Sequence, residues 1–358
     1  MAPKWTYILI AVGSGIVLAI SVIFSVVSLN NIQSPPPPVP QPIPPIVGPN
    51  FTAANSFSIA LVGDLGCGIS GNKTLAQIRE LKPSVDRLFL LGDYSYRNDW
   101  KCFQNQLIGQ GVDGLVHGPS NSFKGVVVGN HEYPSGNRVH LDPAGRSDFI
   151  NYFDLVNQPG SNNYSFDYRG IHFTILDTGG DKGEGLFSTG SEAYKFLAED
   201  LRKSAQNATT QWRIVLLHRP VYASLNSGHA SNALIIDGMH PLLDRYNVDL
   251  VVNGHIHAYE RTYPIMYNEG DSSRPIKTVQ GNVSAFDDPD GEIFLTVGEG
   301  GYSHSKWIGN NPSWVAYRDD NNYGFMKVTF SSDGKSLSGY YLKSSDGSSL
   351  DSFSIKKK

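Results

Sequence analysis

The sequence predicts an α/β protein of the α+β type, a four-layer αββα sandwich of two packed mixed sheets flanked by helices. Up to residue 252, apolar runs typical of strands alternate with helical stretches. After residue 260 the helical pattern fades, and short alternating runs are separated by glycine and aspartate turns. The 358 residues are enough to bury such a core, and a hydrophobic content of 40% is typical of globular proteins.

The predicted elements follow the two periodicities of secondary structure. The predicted strands are residues 57–62, 87–91, 125–128, 164–168, 171–176, 212–217, 248–252, 292–297, 324–330, 336–342 and 352–356. The predicted helices are residues 73–81, 147–155, 191–205 and 232–246. Arg169 and Gly170 separate two of the strands, which are therefore expected to pair as a hairpin. The third helix carries Leu197 and Leu201 on one face and is amphipathic.

The first 52 residues differ from the rest in composition. Residues 8–29 are almost unbroken apolar sequence, long enough to cross a bilayer, and after Lys4 no Lys or Arg occurs before Lys73. We therefore predict a transmembrane anchor or signal-anchor over residues 1–30, a proline-rich linker over 31–52 and a folded domain over 53–358. The charge bias places that domain outside the cytoplasm, anchored to the membrane. A cleaved secretory signal is the alternative, and it would leave the domain secreted.

Composition limits the partners. A net charge of −4 and the lack of a basic block before the last three lysines argue against nucleic-acid binding. No protein partner can be inferred from the sequence. Glycosylation sequons, which agree with export, begin at Asn50, Asn72, Asn163, Asn207 and Asn282. The two cysteines, Cys67 and Cys102, are too few for a cysteine metal site, and a disulfide between them is one interpretation for an exported chain.

Five apolar runs end in side chains of the kinds that bind metals. These side chains are Asp64, Asp93, Asn130 with His131, His218, and the pair His255 and His257. A single Gly-Asp after a strand is usually only a turn. Because ligands of an α/β sheet gather at the carboxyl ends of its strands, all five together predict one metal site. Carboxylate, amide and imidazole donors without thiolate suit Zn, Mn and Fe, and two such ions would clamp a phosphoryl group.

These motifs resemble a known family. The order GDLG (63–66), GDYSY (92–96), GNHE (129–132), LLHRP (216–220) and GHIH (254–257) is similar to the calcineurin-like metallophosphoesterases, and specifically to the purple acid phosphatases. Most of the superfamily carries Asp-x-His at the first motif, whereas this chain has Asp64, Leu65 and Gly66. Tyr96, three residues after Asp93, is the compensating tyrosine of the purple acid phosphatases. The resemblance covers residues 55–305.

The resemblance implies a dinuclear centre. Fe(III) would be held by Asp64, Asp93, Tyr96 and His257, and a divalent Zn, Mn or Fe(II) ion by the bridging Asp93 together with Asn130, His218 and His255. His131 and His229 would be catalytic residues and would contact the substrate phosphate with Asn130. His229 lies eleven residues after His218 rather than the family's nine or ten, so its role requires a one-residue insertion.

The implied reaction is hydrolysis of small phosphate monoesters by a metal-bound hydroxide, that is, acid phosphatase activity. One alternative is a metal-dependent phosphodiesterase or nucleotide-cleaving enzyme of the same superfamily. Another is a non-catalytic surface protein that retains the metal scaffold. Glu132 and Tyr222 are expected near the ligands or in the pocket, whereas no motif accounts for His117, His140 or His240.

Overall fold

Two mixed β-sheets form the centre of the protein. The structure, a computed structural model, describes residues 56–117, 124–155, 160–180, 187–224, 229 and 231–358. The strands are β1 (Phe57–Val62), β2 (Arg87–Leu90), β3 (Tyr164–Tyr168), β4 (Ile171–Leu176), β5 (Trp212–Leu217), β6 (Leu250–Asn253), β7 (Tyr259–Thr262), β8 (Ile265–Met266), β9 (Ile276–Lys277), β10 (Ala285–Asp287), β11 (Ile293–Val297), β12 (Val315–Asp319), β13 (Gly324–Phe330), β14 (Ser336–Lys343) and β15 (Ser349–Lys356). The helices are α1 (Ile69–Glu80), α2 (Lys101–Gly109), α3 (Asp113–His117), α4 (Pro143–Phe153), α5 (Glu192–Gln206) and α6 (Ala233–Arg245).

The strand order places the carboxyl ends of the parallel strands side by side. The first sheet has the order β10-β15-β14-β13-β1-β2, and the second has the order β12-β7-β11-β6-β5-β4-β3. β1 and β2 are parallel, and so are β4, β5, β6 and β11. Polar residues that follow these strands are therefore brought to one edge of each sheet.

Apolar side chains fill three layers between the elements. The inner faces of the two sheets share one core, to which the first sheet contributes Leu61 and the second sheet Phe173. Helices α1, α2 and α4 cover the outer face of the first sheet. Helices α5 and α6 cover the outer face of the second, where Leu197 and Leu201 are buried as predicted. The four-layer αββα prediction is therefore confirmed.

Several predicted elements have the bounds given by the sequence pattern, among them β1, β3, β4, β5 and β13. The predicted strand at 125–128 is wrong, because only Val126 pairs, in an isolated parallel bridge to Leu90. The chain then turns into a short 3₁₀ helix, Asn130–Glu132. There the backbone N–H of Gly129 donates to the Glu132 carboxylate at 2.9 Å instead of extending the sheet.

The predicted anchor and linker lie outside the described residues. Within the described part of the chain, no helix is long and apolar enough to cross a membrane. The division into anchor, linker and folded domain therefore stays a prediction.

The structure pairs the two cysteines in a disulfide, Cys67–Cys102. It joins the loop after β1 to helix α2 across a separation of 35 residues. Both segments lie next to predicted metal-binding motifs. The disulfide therefore ties the loop that carries Asp64 to the helix that follows the Asp93 motif.

Replacing Cys102 by Ser is expected to lower the free energy of unfolding by about 3–4 kcal/mol, because the cross-link restricts the unfolded chain. Urea unfolding of the wild type and of Cys102→Ser measures this difference. Reduced wild-type protein is the control and should match the variant. Equal unfolding midpoints for oxidised wild type and variant would contradict the prediction.

Candidate metal centre

The predicted metal-binding side chains lie together at the edge where strands of both sheets end. Asp64 follows β1, Asp93 follows β2, His218 follows β5, and His255 and His257 follow β6. Asn130 belongs to the 3₁₀ helix and Tyr96 to the loop after β2. All of these side chains are buried except His257, which is partly exposed.

The backbone at these strand ends is left-handed at four of the positions. The φ angles are 57° at Asp64, 55° at Asp93, 51° at Tyr96 and 71° at His255. A residue other than glycine in this region costs of order 1–3 kcal/mol, and such residues concentrate at functional sites. The sharp turns direct these side chains back toward a common point.

Two glycines are needed because other atoms of the site approach their backbones closely. A Cβ at Gly129 would collide with the carboxylate oxygen Oδ1 of Asp93. A Cβ at Gly254 would lie 2.6 Å from Asp64 Oδ2. Because they lack a side chain, Gly129 and Gly254 allow the Asp93 and Asp64 carboxylates to approach the backbone before Asn130 and His255.

One group of donor atoms forms around Tyr96. Its phenolic oxygen lies 2.7 Å from Asp64 Oδ1 and 2.7 Å from His257 Nε2. His257 Nε2 is 3.4 Å from the same Asp64 oxygen. The phenol, carboxylate and imidazole donor atoms therefore lie 2.7–3.4 Å from one another, close enough to bind a single ion.

A second group forms around His218. Its Nε2 lies 3.1 Å from Asn130 Oδ1, 3.1 Å from Asp93 Oδ2 and 3.2 Å from His255 Nδ1. Asp93, His218 and His255 form a set whose donor atoms all lie within 4.8 Å of one another. Asp93 Oδ2 is also 3.4 Å from the Tyr96 oxygen, so this carboxylate faces both groups of donors.

Backbone and side-chain contacts hold the donors in place. His218 Nδ1 donates to the Leu91 carbonyl at 2.7 Å, which leaves Nε2 facing the site. The backbone N–H of His255 donates to Asp64 Oδ2 at 2.8 Å. Glu132 accepts from the backbone N–H groups of Asp93 and Tyr94 at 2.8 and 3.0 Å. Glu132 thus fixes the turn that presents Asp93.

The electrostatics of the protein groups alone are strongly coupled. Burial opposes ionisation of Asp93, but the His218 and His131 imidazoles outweigh burial and hold the pKa of Asp93 well below its usual range. Burial would lower the pKa of His218, whereas the Asp93 carboxylate raises it to about 9. Burial and the carboxylates of Asp64 and Asp93 raise the pKa of Tyr96 well above its ordinary value. A cation among these carboxylates would reverse the effect on Tyr96 and favour the phenolate.

The donor set fits a pair of metal ions. The group around Tyr96 offers a phenol oxygen, carboxylate oxygens and one imidazole, which suit a hard ion such as Fe(III). The group around His218 offers two imidazoles, an amide oxygen and the Asp93 carboxylate, which suit Zn, Mn or Fe(II). His257 lies with the first group and His255 with the second, the division that the sequence resemblance implies.

The two predicted catalytic histidines both lie beside the donor atoms. His131 Nδ1 is 2.7 Å from the Val139 carbonyl, so Nδ1 carries the proton. Its Nε2 faces the centre, 3.8 Å from Asp93 Oδ2. The ring of His229 lies 4.0 Å from that of His255, centroid to centroid.

The sequence motifs missed two further side chains of the site. Tyr302 stacks on Tyr96 with a centroid distance of 3.5 Å, and it remains 42% exposed at the mouth of the site. The Ser303 hydroxyl is 2.5 Å from His257 Nδ1, which leaves Nε2 of that ring for the centre. Their position after β11 is the only signal that the sequence offers for them. The next residue, His304, contacts Glu299 at 2.6 Å.

Arg219 supplies positive charge at this edge of the site. Its guanidinium lies 3.4 Å from His255 Nε2 and donates to the Gly180 carbonyl at 3.2 Å. One nitrogen of the guanidinium is therefore directed toward the site. In this position the guanidinium can contact a phosphate oxygen.

Tyr302→Ala is expected to raise KM for an aryl phosphate about two- to tenfold. The reason is that stacking of the substrate ring on the exposed Tyr302 ring would contribute about 0.5–1.5 kcal/mol to binding. The measurement compares KM for phenyl phosphate with KM for an alkyl phosphate. Tyr302→Phe keeps the ring and is the matched control. An equal change in KM for both substrates would contradict a stacking role.

Comparison with known proteins identifies the family. Residues 57–259 match the calcineurin-like phosphoesterase family. The chain belongs to the calcineurin-like phosphoesterases. Residues 293–352 match the iron/zinc purple acid phosphatase-like protein C family, so the resemblance to purple acid phosphatases is confirmed. Membership of this phosphoesterase subgroup implies a dinuclear iron/zinc-type metal centre.

The relatives of this phosphoesterase carry different activities in their names. It is 30% identical to "Probable inactive purple acid phosphatase 1" of Arabidopsis thaliana, over 80% of this chain and 45% of that protein. It is 29% identical to "Nucleotide pyrophosphatase/phosphodiesterase" of Hordeum vulgare, over 76% of this chain and 73% of that protein. The chain thus spans about half the length of some curated relatives that it matches.

A solved structure shares the fold of this phosphoesterase. A purple acid phosphatase from yellow lupin (Lupinus luteus) seeds matches with a TM-score of 0.68 and 24% identity. The match covers 87% of this chain and 55% of that one. The αββα sandwich is therefore the fold of a known metallophosphoesterase.

Proposed function

We propose that this chain is a metal-dependent phosphatase that hydrolyses small phosphate monoesters. The observation that carries the proposal is the convergence of seven donor side chains from separate strand ends and loops into two adjoining groups. In each group the donor atoms lie 2.7–3.4 Å from a central side chain, Tyr96 or His218. When bound, a dinuclear metal centre supplies charge neutralisation and activation of the attacking water.

The residues around the donors have defined roles in this proposal. Arg219 and Asn130 bind phosphate oxygens and orient the ester. His131 Nε2, on the side of the ring facing Asp93, exchanges a proton with the leaving group because Nδ1 is committed to the Val139 carbonyl. His229, whose ring lies over His255, contacts the substrate from the opposite side. Tyr302 covers the Tyr96 ring and limits the entry of water.

The second candidate activity is phosphodiester or nucleotide cleavage. The barley relative carries that activity in its name, and the exposed Tyr302 ring could stack with a nucleobase. A non-catalytic protein that retains the metal scaffold is a third alternative, since another relative is named as probably inactive. The complete donor set in this chain favours an active enzyme.

Hydrolysis of p-nitrophenyl phosphate and of bis(p-nitrophenyl) phosphate distinguishes these activities. We expect faster turnover of the monoester, an acidic optimum, and loss of turnover after chelation with recovery on adding metal. Preference for the bis ester would support the diesterase. No turnover of either ester by protein with a full metal content would support the non-catalytic alternative and contradict the proposal.

We also propose that the domain acts outside the cytoplasm, tethered by residues 8–29 or secreted after their cleavage. The Cys67–Cys102 disulfide supports an oxidising compartment. Among the sequons, Asn282 is exposed and accessible to a glycan. Protease protection of microsomes that contain the full chain tests the location. Digestion of the domain from the cytoplasmic side would contradict it.

A further inference from the structure

A second cluster of metal-binding side chains lies apart from the candidate centre. His240 and Asp244, one turn apart on α6, meet Glu292, which directly precedes β11. His240 Nε2 lies 3.1 Å from Glu292 Oε1 and 3.5 Å from Asp244 Oδ1. His240 and Glu292 are fully buried, and Asp244 is partly exposed. The three donor atoms lie within 4.8 Å of one another.

Within the part of the chain that the structure describes, the donor atoms of this cluster have no hydrogen-bonding partner outside it. Among the described residues, none donates to or accepts from His240 Nε2, Asp244 Oδ1 or either Glu292 carboxylate oxygen with acceptable geometry. A buried polar atom left in this way costs about 1–3 kcal/mol, and more when it is charged. The cluster therefore points to a ligand that satisfies all four atoms at once.

The opposite side of the His240 ring is held as in a metal-bound histidine. Its Nδ1 lies 2.8 Å from the Tyr222 hydroxyl. That hydroxyl donates to the Ser272 carbonyl at 3.1 Å, so it accepts a hydrogen bond from the N–H at Nδ1 of His240. The lone pair of neutral His240 is then on Nε2, directed at the two carboxylates. Metal-ligating histidines are oriented in the same way by a partner on the second ring nitrogen.

The charges at the cluster call for a divalent cation. With His240 neutral and both carboxylates ionised, the state that binds a cation, the cluster carries a charge of −2 in a buried place, which an ion of charge +2 cancels. Without it, burial raises the pKa of Glu292 to about 8. Burial would lower the pKa of His240, but Glu292 and Asp244 raise it to about 9.

Another histidine of this chain shows what a buried ion pair without a metal looks like. His172 lies between Asp167 and Asp200, at 2.7 and 3.0 Å. The Asp200 oxygens also accept from the Ser165 and Thr174 hydroxyls at 2.5 and 2.6 Å. In that cluster the carboxylate is fully hydrogen-bonded, in contrast to Glu292.

We propose that His240, Asp244 and Glu292 bind a divalent transition-metal cation of the zinc class, at a site separate from the dinuclear centre. Donors about 2.0–2.2 Å from zinc at tetrahedral angles lie about 3.4 Å apart, close to the separations found here. One imidazole with two carboxylates is a donor set that zinc and manganese accept. Asp244, at the partly exposed side, leaves a path for entry of the ion and for a water ligand.

The position of the cluster gives this metal a structural role. Glu292 precedes the amino end of β11, whereas His255 and His257 follow the carboxyl end of the parallel strand β6. The two sites therefore lie at opposite edges of the sheet. The ion would join α6 to β11. Through Tyr222 it would also steady the loop that begins at His218.

Metal analysis of protein equilibrated with Zn²⁺ and freed of excess ion tests this proposal. We expect Glu292→Gln and Asp244→Asn to bind about one equivalent less metal per chain than the wild type. Added Zn²⁺ should raise the Tm of chelator-treated wild type by at least about 5 °C more than that of either variant. Asp200→Asn, which alters the His172 cluster, is the control and should keep the wild-type metal content.

Equal metal content and equal Zn²⁺ response in the wild type and both variants would overturn the site and leave a buried ion pair. Asp244→Asn keeps an oxygen for the Tyr267 backbone N–H, which contacts this side chain at 2.8 Å, so it tests the site if Glu292→Gln does not fold. Because metal is counted per chain, the result does not depend on phosphatase turnover. Asp93→Asn alters only the dinuclear centre. Metal analysis of this variant should therefore still detect the Zn²⁺ bound by His240, Asp244 and Glu292.

Discussion

Asp93→Asn is expected to lower kcat of the metal-loaded protein by about a thousandfold or more while the chain stays folded. Asp93 Oδ2 faces both donor groups, 3.1 Å from His218 Nε2 and 3.4 Å from the Tyr96 oxygen. An amide cannot supply the negative charge that bridges two cations. The loss of several kcal/mol of charge stabilisation corresponds to at least about three factors of ten in rate. Initial rates and metal content, measured on the same sample, check the prediction.

Asp177→Asn is the matched control for this experiment. Asp177 is also a buried aspartate directly after a strand, β4. Its oxygens accept from the Tyr133 hydroxyl at 2.5 Å and from the Gly179 N–H at 2.9 Å. We expect this variant to be less stable but to keep its metal content and turnover within a few-fold. Unchanged turnover in Asp93→Asn would contradict the assignment of the centre.

Tyr96→Phe is expected to remove the visible absorption of iron-loaded protein. The Tyr96 oxygen, 2.7 Å from both Asp64 and His257, is the phenol oxygen placed to bind a ferric ion in the described part of the chain. Phenolate bound to Fe(III) gives a charge-transfer band, and phenylalanine has no donor atom. We also expect lower iron content, because one hard oxygen ligand is lost. Visible spectra and iron analysis measure both effects.

Tyr94→Phe is the matched control, since Tyr94 is buried two residues away and its hydroxyl contacts the Leu90 carbonyl at 3.2 Å. This variant should keep its colour. Tyr302→Phe, which preserves the ring stacked on Tyr96, should keep it too. A colourless, iron-free and fully active wild type would contradict the ferric assignment.

Apolar periodicity predicted the strands of the core because their side chains face an apolar interior on both sides. β1 and β4 are buried at every position, and both have the predicted bounds. β7 was missed because its residues, Tyr259–Thr262, look polar. In the fold this strand is nevertheless buried, since Arg261 pairs with Asp351 at 2.7 Å. A partner 90 residues away cannot be read from a local pattern.

Other missed elements have similar causes. Helix α2 is only nine residues long, too short for a clear helical repeat of apolar residues, and it buries Phe103 and Leu107 against the first sheet. β12 is the edge strand of the second sheet and pairs only with β7. It could not be predicted because the sequence pattern did not reveal β7 either. The apolar run at 125–128 failed as a strand because Gly129 and Glu132 turn the chain toward the site. Here the turn that presents the metal-binding side chains prevents the strand that the apolar residues favour.

The sequence by itself determined the kinds of donor and their positions at strand ends, because glycine turns and apolar runs are local features. It also placed those donors in one family, whose membership the comparisons confirm. The family resemblance implied how these donors divide, and the tertiary structure supplied the contacts themselves: His257 with Tyr96, and His255 with His218. The tertiary structure alone added Tyr302 and the cluster of His240, Asp244 and Glu292. Such contacts join residues far apart in the chain, and packing rather than local sequence brings them within bonding distance.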